Sequence, residues 1–378
     1  MRLVSADILD FRNLAEVQLR FSPGVNLLVG DNGQGKSNLL EALNYPSLGR
    51  SFRGARDDDL VRFDAECAHV RLTAKGEDDR EVEFEYGIER GRGRRFRVDG
   101  EPVKRKVDLL GRLTTVVFDP QTVQLVRGGP EARRRYLDQG LSMVDAGYLL
   151  HLQAYNRALK QKNRLLRDAR RGFVAPAKVR EDLRVWNLEM ASHAAPICSA
   201  RASYAAGVEP HVADAYSHFA DRVSEVAVKY EPQLGNSPKD APEGQLEADI
   251  LGKFDYIIED ELRRGRSLAG PHMDDFEVQL DGINLRSFGS QGETRTAAIA
   301  LKLAQGDLVH LKRRVRPVLF FDDIFSELDR GRTGKLQERT GESHQIFIAT
   351  AREEDVTDWR PVDLRSWSVR AGGVTELV

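Results

Sequence analysis

Apolar and polar positions change their period along this chain, and the changes divide it. From residue 2 to residue 29 apolar positions alternate or run together in LVSADILDF, EVQLRF and VNLLV, which predicts strands separated by turns at Arg12-Asn13 and Pro23-Gly24. LLEAL (39–43) has the composition of a helix, and the polar stretch Ser51–Asp59 reads as a loop. HVRLTA, EVEFEYGIE and RRFRVDG then alternate with period two, as in an antiparallel meander with one wet face, and TTVVF returns as a buried strand ending at Asp119-Pro120. From about Pro130 the period lengthens. Leu149, Leu152, Tyr155, Leu159 and Leu166 recur at three-, four- and seven-residue steps, predicting a helix over 145–171. Helical character continues through DLRVWNLEMASHAA, with breaks expected at Pro196 and Pro210. SEVAVKYE reads as a strand, the Pro/Gly-containing loop 232–244 as a hinge or disordered tip, and QLEADILGKFDYIIEDEL as an acidic helix. From Phe288 a Gly- and Ser-containing turn leads into a long Ala/Leu helix, followed by the buried strand VLFF.

The stretch Gly30–Ser37, GDNGQGKS, sits between the apolar run VNLLV and the helical LLEAL. Gly30, Gly33 and Gly35 permit a bend in which successive N–H groups face one anion, the form of a phosphate cradle. Lys36 would place its ammonium on the β/γ-phosphates, and the Ser37 hydroxyl would reach a Mg²⁺ bridging them. Far downstream, VLFF ends in Asp322-Asp323, where Asp322 can accept from the magnesium shell and Asp323 can orient or deprotonate an attacking water. Arg12 and Asn13 lie on the turn before the phosphate loop, near the nucleotide or simply solvated.

At 378 residues the chain exceeds one ordinary core, so two domains or a domain with an insertion is expected. Net charge is only −2, so any basic surface must be local. It is concentrated between Arg127 and Arg180, where thirteen Lys and Arg face four Asp and Glu. Arg157, Lys160, Arg164, Arg167 and Arg171 repeat with helical spacing and form a stripe suited to a DNA or RNA backbone. Two further basic clusters, Arg92–Arg97 and Lys104–Lys106, read as solvated faces or a second nucleic-acid contact. Cys67 and Cys198 have no metal-ligand spacing and read as small buried thiols. The N-terminus lacks a signal-peptide core and no apolar run is long enough to span a bilayer, so a cytoplasmic protein without membrane contact is expected.

FRN (11–13), GDNGQGKSNLLEAL, GRSFR (49–53), LVRGGPEARRRYLD (125–138), QKNRLL (161–166), AGPHMDD, SQGETRT and FFDDIFSELD occur in this order. Together they resemble the ABC-type ATPases and, within them, the RecF recombination mediator family, over nearly the whole chain. The resemblance implies an α/β ABC-type ATPase head, a phosphate-loop fold of mixed sheets with helices. A mainly helical arm would be inserted, with no long coiled coil. Domains are expected at 1–128 and 266–378 for the two parts of the head and 129–265 for the arm. It implies ATP and Mg²⁺ as cofactors, with Asp31, Asn32, Gln34 and Asn38 joining the cradle residues around ATP. Ser290 and Gly292 would reach the γ-phosphate of a second copy, making ATP the glue of a homodimer, with Asp329 at the interface.

The implied activity is slow, DNA-stimulated ATP hydrolysis by a clamp on gapped, single-stranded or junction DNA. The protein would act in recombinational repair and replication restart and support the SOS response. It would help load RecA-type recombinase with RecO- and RecR-like partners. Four positions depart from the family pattern: Asp323 for Glu of transporter-like enzymes, Glu293 for Gln, Met273 for Arg, and Thr350 where many relatives carry a switch histidine. Gln121 and Gln124 both qualify as the magnesium-sensing glutamine. The rival readings are a transporter ATPase subunit, which predicts no basic arm, a nuclease, which needs an added acidic metal cluster, and a nucleotide-gated binding module without significant hydrolysis.

Overall fold

The computed structural model describes residues 1–173, 176–220, 224–234, 243–341, 343–356 and 363–377. In chain order the strands are β1 (Arg2–Phe11), β2 (Leu14–Arg20), β3 (Val25–Val29), β4 (Cys67–Lys75), β5 (Glu81–Glu89), β6 (Gly93–Val98), β7 (Glu101–Pro102) and β8 (Thr115–Phe118). They continue as β9 (Val226–Glu231), β10 (Asp275–Leu280), β11 (Ile283–Asn284), β12 (Val318–Asp322), β13 (Ile346–Thr350), β14 (Leu364–Arg370) and β15 (Gly373–Leu377). The helices are α1 (Lys36–Leu48), α2 (Gln124–Arg127), α3 (Pro130–Val144), α4 (Ala146–Arg170), α5 (Pro176–Phe219), α6 (Glu243–Tyr256), α7 (Ile258–Arg264), α8 (Leu285–Phe288), α9 (Gln291–Arg313) and α10 (Arg330–Thr340).

Two compact units result, one of Met1–Val123, Asp214–Val223 and Ala298–Val378, the other of Gln124–Ala213 and Ser224–Ala297. Segment 266–297, expected with the C-terminal part of the head, therefore packs with the second unit.

The first unit holds two six-stranded sheets, β2-β1-β4-β5-β6-β7 and β15-β14-β3-β13-β12-β8. Neighbours in the first sheet pair antiparallel and their burial alternates, as the period-two sequences predict. In the second, β14, β3, β13, β12 and β8 pair parallel. VLFFD and IFIAT are buried at every position, the signature of strands covered on both faces. Helix α1 is buried from Leu39 through Leu48, and its Leu39, Leu40, Leu43 and Tyr45 belong to the same core as Phe84 and Tyr86 of one sheet and Leu28 and Phe347 of the other. A helix enclosed all round needs no polar face, which explains the weak amphipathicity of KSNLLEALNYPSL.

Gln345 joins strands distant in sequence. Its amide donates to the carbonyls of Leu3 and Ser22, both at 2.7 Å, and accepts from the Leu3 N–H at 2.6 Å. Asn26, the one polar residue inside β3, is likewise satisfied by Ser22.

The second unit carries a three-stranded sheet, β11-β10-β9, with α2 to α4, most of α5, and α6 to α8. Helix α5 runs for 44 residues through Pro196 and Pro210, where the sequence predicts breaks. Each proline removes one ladder hydrogen bond, but Ala194, Ile197, Cys198, Val208 and Val212 beside them are fully buried, and their packing outweighs that loss. The acidic helix divides at Ile257 into α6 and α7. Residues 235–242 of the expected hinge lie outside the described residues. Cys198 is buried as expected, whereas Cys67 is exposed because it occupies an outward position at the start of β4.

Replacing Gln345 with Ala would leave Leu3 and Ser22 backbone groups unpaired in a buried place. The variant should lose on the order of 3 kcal/mol in urea unfolding; an unchanged midpoint would show that water restores the lost bonds.

Candidate functional site

In the first unit the C-terminal ends of β3, β13, β12 and β8 lie side by side, the edge at which open parallel sheets place ligands. β3 delivers Gly30–Gly35, and Gly33 and Gly35 hold φ of 82° and 123°, conformations that favour glycine. Lys36 opens α1. Its Nζ donates to the carbonyls of Gly30 at 2.5 Å and Asp31 at 3.0 Å, folding the side chain back over the loop. Burial lowers the Lys36 ammonium below its ordinary pKa, an effect opposed by the carboxylates of Asp323, Asp322 and Asp31.

β12 ends in Asp322, and the Ser37 hydroxyl donates to its Oδ1 at 2.7 Å. Burial raises the Asp322 carboxyl to about 6; the bond from Ser37 opposes this, and Asp119 and Asp323 push the same way as burial. Asp323 follows with φ 55° and is fixed by its N–H to Ala349 at 2.9 Å. A hydroxyl and a carboxylate are the donors that a hard divalent cation takes when phosphate oxygens complete its shell. No group of three or more His, Cys, Asp or Glu that could hold a metal ion occurs among the described residues.

Phe118 pairs with Phe321, so Asp119 and the turn Pro120–Val123 emerge beside Asp322, with Gln121 exposed on that turn. Gln124 is also exposed and belongs to the second unit. The Thr350 hydroxyl is engaged in its own turn, with Arg352. Asp329 caps α10 by accepting from the Arg332 N–H.

Two hairpin tips brace the loop. Asn13 donates to the Gln34 carbonyl at 2.9 Å and accepts from Asn38 at 2.8 Å, while the Arg12 guanidinium is held by buried Glu41 and the Asp59 carbonyl. From the other side, the β14–β15 turn gives Gly372 N–H to the Gln34 carbonyl at 2.8 Å and Ala371 N–H to the Gln34 side chain at 2.6 Å. A Cβ at Gly372 would stand 2.0 Å from the Asn13 carbonyl oxygen, and one at Gly30 2.2 Å from that of Val369. Arg12, Asn13, Gln34 and Asn38, expected around ATP, thus form the frame of the loop, and Asp31 and Asn32 stand exposed on it. Glu41 and the β14–β15 turn were missed by the sequence reading. A charged residue inside the apolar run LLEAL was the available signal for Glu41; Ala371-Gly372 between two strands was the signal for the turn.

In the second unit Ser290 stands exposed at the start of α9, in a reciprocal cap with Glu293. The Ser290 N–H donates to the Glu293 carboxylate at 2.9 Å and the Glu293 N–H to the Ser290 hydroxyl at 3.2 Å. Gly292 follows in the first turn. The preceding turn is held by Arg127, which donates to the Gly289 carbonyl at 3.4 Å. Arg133 makes a two-pronged bond to Asp275, and Arg134 donates to the Asp274 carbonyl. LVRGGPEARRRYLD and AGPHMDD are therefore the two halves of one ionic knot. Met273 is exposed beside it.

Arg157, Lys160, Arg164 and Arg167 are exposed along α4, with Arg171 at its end, as the spacing predicts. Arg164 lies 3.9 Å from Asp168, the one ion pair found within this stripe among the described residues. The cluster on β6 differs: Arg92, Arg94 and Arg97 face Glu89, Asp57 and Glu85, so carboxylates already offset it.

The sequence matches the family model described as RecF/RecN/SMC N terminal domain over residues 2–363. It is 37% identical over 382 residues to a Geobacter metallireducens protein named DNA replication and repair protein RecF, covering 100% of both chains. A Frankia alni protein of the same name is 37% identical, covering 94% of this chain and 95% of that one. Among solved structures, one titled as the recombination mediator protein RecF with ATPrS in the RecFOR pathway superposes with a TM-score of 0.90 at 30% identity, covering 100% of this chain and 98% of that one. A Pyrococcus furiosus Smc head domain superposes at 0.57 with 17% identity over 100% of this chain and 96% of that one, a likeness of fold. No helix among the described residues is long and apolar enough to cross a membrane.

A cation held by Ser37 and Asp322 would have to displace the carboxyl proton, so on that assignment cation-dependent nucleotide binding should weaken about tenfold from about pH 7 to about pH 5. Calorimetry at both pH values checks this; a flat profile would remove Asp322 from the cation's shell.

Proposed function

Since the chain belongs to the RecF family, within the RecF/RecN/SMC ATPases, we propose that it is an ATP-dependent DNA-binding protein of recombinational DNA repair and replication. The observation that carries this reading is the meeting of Ser37 and Asp322 at the end of the parallel strands, beside Lys36. Gly30–Ser37 would cradle the triphosphate, with the Lys36 ammonium turning from the loop carbonyls to the β/γ-phosphates. Ser37 and Asp322 would hold Mg²⁺, which supplies charge neutralisation at the phosphates, with Gln121 next to them. Asp323 would orient or deprotonate the attacking water, and its short side chain fits slow turnover.

Ser290 and Gly292 would complete the site from a second copy. Their hydroxyl and N–H groups at the start of α9 suit a γ-phosphate, so ATP would join two protomers and hydrolysis would release them. The α4 stripe would take the DNA backbone, because five exposed cations on one helix gain most from counterion release. Gapped, single-stranded or junction DNA, RecO- and RecR-like partners and delivery of a RecA-type recombinase in the SOS response follow from the family. A cytoplasmic location fits this role. The stripe disfavours a transporter subunit. A nuclease would need an acidic metal cluster, and none occurs among the described residues.

Sedimentation with and without ATP and a gapped duplex tests the reading. Lys36→Met should abolish ATP binding, and Ser290→Arg should keep ATP binding yet prevent pairing; pairing by either variant would refute the shared site. Asp323→Asn should lose turnover while keeping ATP-induced pairing, whereas unchanged turnover would point to a binding module. Reversing Lys160, Arg164 and Arg167 should lower the salt dependence of DNA binding by about three slope units; an unchanged slope would move the DNA path elsewhere.

A further inference from the structure

Two histidines of the second unit face each other across a pair of helices. His151 lies on α4 and His193 on α5, and their Nδ1 atoms stand 3.1 Å apart. Other histidines spend a ring nitrogen on a different kind of group: His69 bonds to Glu85, His272 to Tyr155 and His344 to Ser343. The supports of the facing pair are firm. Tyr148 and Leu149 before His151 are buried, as are Met190, Ala191 and Ala194 around His193. The Tyr148 hydroxyl also accepts from Arg201 at 3.1 Å, and Arg201 is itself bonded to Asp138 at 2.8 Å, so this end of α4 is fixed about its axis.

We infer that His151 and His193 form a binding site for a divalent transition cation such as Zn²⁺, with water completing its shell. Nitrogens 3.1 Å apart, each about 2.0–2.1 Å from one zinc, subtend about 100° at it, between the right angle of an octahedral shell and the wider tetrahedral angle. Imidazole nitrogen suits zinc, copper and nickel, whereas magnesium and calcium take oxygen. The far nitrogen of His193, Nε2, lies 3.4 Å from a carboxylate oxygen of Glu189, one helical turn away. A carboxylate there holds the ring proton on Nε2 and leaves the Nδ1 lone pair facing His151. Without a cation, His151 donates its Nδ1 proton into that lone pair. When a cation enters, the His151 proton moves to the other ring nitrogen and both rings stay neutral. The His193 side chain keeps 23% of its exposure, so water reaches the pair. No third His, Cys, Asp or Glu joins them among the described residues, so the cation has two protein ligands and its clamp on α4 and α5 depends on its free concentration.

The test is equilibrium dialysis of Zn²⁺ against the full chain at about pH 8, where ordinary imidazoles are neutral, without nucleotide and with excess Mg²⁺ to fill oxygen sites. Outer partners of metal-bound imidazoles are worth about ten- to a hundredfold in affinity, so His151→Ala or His193→Ala, which removes a ligand outright, should weaken binding by about a hundredfold or more. Cys67→Ser, which removes the exposed thiol, should leave it unchanged. Undiminished binding by both histidine variants overturns the site, and so does loss of binding in Cys67→Ser. Zn²⁺ should also raise the melting temperature of the unaltered chain and not that of His151→Ala; an equal rise in both places the cation elsewhere and overturns the clamp. Cu²⁺ on the unaltered chain gives a reading that needs no variant. Its electron paramagnetic resonance should show coupling to two imidazole nitrogens, and coupling to one or none overturns the pair.

Discussion

Between the hydroxyl of Ser37 and the carboxylate of Asp322 lie 2.7 Å of space and 285 positions of sequence. That contact exists only because β3, β13 and β12 are adjacent and parallel, so two chain segments end at one edge. The buried apolar strands are what hold them there. The site's electrostatics follow from the same enclosure: burial pulls the Lys36 ammonium down and the Asp322 carboxyl up.

The frame around the phosphate loop distributes its load over distant turns. Backbone atoms of Gln34 and Gly30 press against Asn13, Gly372 and Val369, so the loop's shape is set by hairpins from both ends of the chain rather than by its own glycines alone. In the second unit the equivalent work falls to three arginines of one segment: Arg133 pairs with the Asp275 carboxylate, while Arg127 and Arg134 donate to the carbonyls of Gly289 and Asp274.

Much of this was legible in the sequence because it depends on local pattern. Continuous apolar runs marked β3, β8 and β12, the three-, four- and seven-residue steps marked α4, and GDNGQGKS marked the loop. What escaped depends on who meets whom. The unbroken passage of α5 through Pro196 and Pro210 is decided by packing partners, which no window of sequence contains. The groups that the Arg12-Asn13 turn meets also escaped: it reads as near a nucleotide or solvated, and its side chains reach Glu41, the Asp59 carbonyl and Gln34, since a turn's direction is fixed by the strands it joins. The charge count pointed to the open stripe on α4, but that arginines of β6 meet carboxylates could not be read from it, because the turn at Asp57 and the neighbouring strand β5 supply them.

The order in which the polypeptide is made gives the β14–β15 turn a further meaning. Gly30–Ser37 leaves the ribosome before β12, β13 and the turn that grips Gln34. Nearly all of the second unit is synthesised between these events, so it can fold while the first is still incomplete. A nascent chain that has not yet reached β15 therefore lacks half of the frame around Gln34, and the shape of Gly30–Ser37 is completed only when that turn is made.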